Sequence, residues 1–92
     1  MNIKDRVKEI AGDLKQAASA GKLDDVMQYV GAAEPLIRAT LPNHLSDLQL
    51  RVEKFRSLMF VMRGKAKGEA LGIAGWLESC ADLIELQSNK ED

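Results

Sequence analysis

One histidine, His44, and one cysteine, Cys80, are the only residues of their kind in the chain. A zinc site draws three or four ligands from cysteine, histidine and carboxylate side chains, and a thiol nucleophile needs a base within hydrogen-bond reach. Neither set exists at local spacing. His44 stands beside a helix start and reads as a solvated or capping histidine. Cys80 lies on an apolar stripe and reads as a buried thiol. Asp24-Asp25 and the pair Asp82 and Glu85 are carboxylates without histidine support, and acids at Asp24-Asp25 suit the start of a helix dipole. Gly64-Lys65-Ala66-Lys67-Gly68 has the glycines and lysines of a phosphate loop. It lacks the Gly-x4-Gly-Lys-Ser/Thr order and a preceding strand. The reading is therefore non-enzymatic, with no catalytic residue, metal or cofactor.

Recognition chemistry is better represented. Leu58-Met59-Phe60-Val61-Met62 is five consecutive apolar residues, which on a helix cannot all face one way. Met59 and Met62 belong to the main stripe, while Leu58, Phe60 and Val61 point elsewhere. Either a second copy covers them or they dock another protein, with Arg56 and Arg63 at the rim and Trp76 on the flank of the stripe. The stretch Arg51 to Lys67 is basic, and Arg56, Arg63 and Lys67 share a helix flank that suits phosphates. A nucleic-acid-binding regulator is the alternative that follows. Few aromatics and an acidic chain overall weigh against it.

Charge segregates along the sequence although the net charge is only -1. From Leu48 to Gly68 six bases face one acid, and from Glu69 to Asp92 six acids face one base. Each half suits the other better than a copy of itself. The 92 residues make one small domain, residues 1–92, with 46% hydrophobic and 4% aromatic residues, so aliphatic side chains must build the core. A domain of this size buries only ~60–65% of its unfolded surface. No apolar run approaches the ~18–20 residues of a membrane span. The N-terminus has no signal-peptide centre, and a lone cysteine makes no internal disulfide. The expectation is a cytoplasmic protein with no membrane partner.

Three helical segments must position these residues. The first runs from about Ile3 to Ala20, with Ile3, Val7, Ile10, Leu14 and Ala17 in heptad steps, Asn2 as N-cap and Gly21 as stop. The second runs from about Leu23 to Leu41 on Leu23, Val26, Val30, Ala33 and Ile37, with Met27 and Leu41 widening the face. Pro35 predicts a kink, or two short helices meeting near Glu34. Asn43 or Ser46 caps the third.

The third segment is free of proline from Leu45 to Gln87. Its stripe runs through Leu48, Val52, Phe55, Met59, Met62, Ala66, Ala70, Ile73, Leu77, Cys80 and Ile84. In one reading, Arg63 to Glu69 is a polar loop between two helices. In the other, one helix runs from about His44 to Ser88, roughly 65 Å long. Interior glycines cost ~1 kcal/mol each, but the apolar positions keep one phase across them, which favours the continuous helix. The first two helices are too short to cover it, so the stripe from Ile73 to Ile84 needs cover from elsewhere. A second stripe through Gly64, Gly68, Leu71 and Gly75 lets another backbone approach. The expectation is a homodimer crossing there, with basic half against acidic half.

Ala17-Ala18-Ser19-Ala20-Gly21-Lys22-Leu23-Asp24-Asp25-Val26, then Ala33-Glu34-Pro35-Leu36-Ile37-Arg38, then a long helix, resembles the small flagellar and type III export chaperones over about half the chain. Pro35 departs from their pattern. The resemblance implies a cytoplasmic chaperone or regulator that masks a partner's helix in an apolar groove, and carries over no individual functional residue. The whole reading is an all-α antiparallel bundle of two shorter helices and one long or broken C-terminal helix, dimeric. Its function is binding a partner protein as a small adaptor, chaperone or inhibitor.

Overall fold

A computed structural model describes the backbone of residues 2–91 and the side chains of residues 2–87, so Glu91 and Asp92 of the acidic count lie outside the described side chains. It contains four α-helices among the described residues: α1 (Ile3–Ser19), α2 (Val26–Thr40), α3 (Leu45–Val61) and α4 (Arg63–Glu91). Short 3-10 turns, Leu23–Asp25 and Pro42–His44, precede α2 and α3.

Local chemistry sets the helix ends. The Asn2 side chain accepts a 2.8 Å hydrogen bond from the Asp5 N–H and caps α1. After α1, Gly21 adopts φ +79°, the left-handed conformation that glycine takes without a Cβ clash. The Gly21 N–H then donates to the Ala18 carbonyl at 3.1 Å and the Lys22 N–H to the Ala17 carbonyl at 2.8 Å, the bond pair of a Schellman stop. The next helix decides between two expectations: Pro35 lies inside one helix, not at a junction of two. Its ring would crowd the carbonyl one turn back, at position 31. That position is a glycine on the exposed side of α2, with open space where a Cβ would stand. Neither Asn43 nor Ser46 caps α3. His44 holds the cap position, with no side-chain capping bond among the described residues, because the 3-10 turn runs directly into the helix.

The long C-terminal run is neither one helix nor two helices joined by a glycine loop. It breaks at a single residue, Met62, whose backbone leaves the helical region at φ -140°, ψ 74°. Arg63 to Glu69, glycines included, is the first part of α4. The chain therefore folds back on itself, and α3 lies along α4. Lys54 meets Glu69 at 3.2 Å, and the Arg51 guanidinium sits 5.8 Å from the centre of the Trp76 ring, a cation–π contact. Part of the charge complementarity between the two halves is thus used within one chain.

The expected lack of cover over Ile73 to Ile84 is corrected too. These residues are buried, and the partner is α1, which packs along α4 in the largest interface of the molecule. Lys4 pairs with Glu85 at 3.2 Å and Lys8 with Asp82 at 3.8 Å, so residue numbers rise along one helix as they fall along the other. The single core joins Val7, Ile10 and Leu14 of α1 to Val26, Val30 and Ile37 of α2, Leu48 and Phe55 of α3, and Ile73, Leu77 and Ile84 of α4. Of the predicted C-terminal stripe only Met62 is exposed, at 46%, because the chain turns there. No described helix is long and apolar enough to cross a membrane.

Candidate protein-binding groove

Four helices offer four seams between sequence or spatial neighbours, and one of them stays open. α1 packs on α2 and on α4, and α3 packs on α4, whereas α2 and α3 barely touch along their length. The reason lies in the facing side chains. α3 has no alanine or glycine in its seventeen residues, and it turns Leu48, Val52, Phe55 and Met59 toward α2. Met27 and Val30 answer from the other side. Helices approach to about 8–10 Å only as far as the interposed side chains allow.

The gap holds two adjoining cavities. The upper, about 340 Å³, is lined from α2 by Met27, Val30, Gly31 and Glu34 and from α3 by Leu48, Gln49, Val52, Glu53 and Arg56. The lower, about 290 Å³, is lined by Leu23, Asp24, Met27, Phe55, Arg56, Met59 and Phe60. Met27 and Arg56 line both. Together they form one groove with an apolar floor and charged lips. It runs over thirteen residues of α3, Leu48 to Phe60, roughly 18 Å.

The sequence-derived binding residues fall in different places. Phe60 is 92% exposed and lines the lower end of the groove, and Arg56 lies on its α3 lip. Val61, also exposed, is a third of a turn further round α3, away from the groove. Leu58 and Trp76 are half-buried against the core. Arg63 is held at 3.4 Å from Asp24, bridging the start of α4 to the turn before α2. Gly64, Gly68 and Gly75 lie on the outer face of α4, each with open space where a side chain would stand, and Leu71 is half-buried beside them. The floor residues Met27, Val30, Val52 and Met59 were legible only as core positions. The available signal was their bulk.

The basic stretch is not a continuous track. The turn at Met62 splits it, Arg51 lies over Trp76, and Lys54 and Arg63 have acidic partners. Lys65 and Lys67, two residues apart on a helix, point to opposite sides of α4. His44 is half-buried at the start of α3. Cys80 is 2% exposed in the core. Burial pushes its thiol up to about 11, with the Arg51 charge lowering it and Asp47 raising it by smaller amounts. A thiol in that state is a packing group rather than a nucleophile at neutral pH. No group of histidine, cysteine and carboxylate side chains among the described residues could hold a metal ion.

No family model, curated protein or solved structure matches the chain.

Proposed function

We propose that this chain is a non-enzymatic interaction module, a small adaptor, chaperone or inhibitor, that takes a helix of another protein into the α2–α3 groove. The observation that carries the reading is the open seam. Along this seam Met27, Val52 and Met59 are half-buried and Phe60 is exposed, over a length of about three helical turns. Methionines on the floor suit an adaptable surface. The opposed numbering of the ion pairs supports an antiparallel order for the bundle. A cytoplasmic location fits the reading, as does the resemblance to small export chaperones, which implies the same mode of binding.

Homodimerisation is a separate element of the proposal. It rests on the open glycine face of α4 at Gly64, Gly68 and Gly75. Sedimentation equilibrium at tens of micromolar tests it, and a monomer throughout would remove it. The nucleic-acid alternative rests on Lys65 and Lys67, exposed and without ion partners among the described residues. Failure to retard duplex DNA or RNA at low salt would remove that one.

The groove is tested by capturing host proteins on the immobilised chain, in parallel with Val52→Glu in the groove and Glu9→Lys on the outer side of α1. Circular dichroism checks that both variants remain folded. Binding should fall at least about tenfold for Val52→Glu alone, the size of a desolvated charge in a helix-binding groove. Equal recovery by all three proteins would refute the assignment.

A further inference from the structure

The groove is not uniformly lined, and its chemistry narrows the occupant. At the upper end Glu34 from α2 and Glu53 from α3 stand on opposite lips of one cavity. Glu34 already engages Arg38 at 2.8 Å. Glu53 has no ion partner among the described residues. Between them the α2 wall is Gly31, which carries no side chain and has open space in front of it. Its carbonyl would ordinarily accept the N–H four residues on, but that residue is Pro35, which has none. Two carboxylates thus line a cavity floored by Met27, Val30, Leu48 and Val52. One helical turn further along α3, Arg56 lines both cavities, and Asp24 across the lower one is engaged by Arg63 at 3.4 Å.

We propose that the groove's occupant is a three-turn amphipathic helix of another protein with an arginine over the Glu34–Glu53 end and a carboxylate one turn away, beside Arg56. This rests on the groove reading above. Arginine fits because its aliphatic stem covers apolar floor while its five N–H donors spread over several acceptors at once. A carboxylate can take two of them and leave the rest for the opposite lip. A hydrocarbon-only helix would bury Glu53 unpaired, at a desolvation cost. A second copy of this chain does not qualify. Its exposed large apolar residues, among them Leu50, Val61, Leu83 and Leu86, form no face of three successive turns on any one described helix.

The test uses two labelled helical peptides of about fourteen residues, with leucines at i, i+4, i+7 and i+11. One carries arginine in its first turn and glutamate one turn on, and its twin carries the two charges exchanged. Fluorescence anisotropy against the full chain should show the arginine-first peptide binding at least about tenfold tighter at low salt. Glu53→Lys, an exposed substitution, should reverse the order. Twins that bind within twofold of each other, or no binding by either, would overturn the charge assignment. The capture experiment with Val52→Glu does not depend on these peptides, so it judges the groove separately.

Discussion

The α1–α4 seam and the α2–α3 seam are built from the same kind of amphipathic helix and end differently. Buried positions of α1 and α4 include Ala11, Ala17, Ala18, Ala66, Ala70, Ala74 and Ala81. Small side chains let the two backbones come close, and the larger Val7, Leu14, Ile73 and Leu77 interleave between them. In the other seam methionine, valine, leucine and phenylalanine meet across the gap with no alanine or glycine on α3 to receive them. Apolar pattern alone therefore marks which face turns inward. Residue volume along that face decides whether the neighbouring helix closes on it. The closed seam holds the molecule together, and the open one is the face proposed to bind.

The comparison is breakable by mutation. Leu77→Ala, in the closed region, should destabilise by about 2–5 kcal/mol, read as a lowered urea midpoint. A cost under about 1 kcal/mol would mean that this seam is not well packed. Ala74→Leu should cost about 1–3 kcal/mol by forcing α1 and α4 apart. If the added methylenes are accepted freely, alanine is not what closes the seam. Val52→Ala, facing the groove, should cost about 1 kcal/mol or less, since the side chain is only half-buried.

Thiol chemistry sharpens the contrast without unfolding anything. Cys80 should resist an aromatic disulfide reagent at pH 8 and react only in denaturant, while Val52→Cys in a Cys80→Ala background should react readily. The raised Cys80 value also has a sign. As pH climbs past 9 the unfolded chain loses the thiol proton first, so the thiol's contribution to stability is constant below that and declines from pH 9 to about 11. A rise in stability over that window would contradict the buried assignment. The smallest effect is expected from Phe60→Asp, within about 0.5 kcal/mol of wild type in urea because the ring is exposed, although partner binding should be lost.

Most of the helical framework was readable from residue types. The heptad steps in α1, the Asn2 cap, the Gly21 stop and the phase of the C-terminal stripe all have local causes, and local causes leave local traces. The turn at Met62 had none. It is a non-glycine residue between Val61 and Arg63, and the helix ends there because α3 gains more by folding onto α4 than by continuing. The same long-range packing explains why the stripe from Ile73 to Ile84 found its cover in α1. The site was half legible. Phe60 and Arg56 stood out because an apolar or basic residue off the main stripe needs a reason. Met27, Val52 and Met59 did not, since a residue on the stripe looks identical whether its neighbour closes over it or not.

Pro35 has a consequence for motion. α2 packs mainly on α1, hangs between two 3-10 turns, and lacks one rung of its hydrogen-bond ladder where proline replaces an amide. α3, by contrast, is tied to α4 by one residue and has no slack. Any widening of the groove must therefore be borne by α2, through brief, local openings far cheaper than global unfolding. Deuterium should enter the amides after Gly31 sooner than those of α1 or the middle of α4, and an occupied groove should slow that entry more than any other in the molecule.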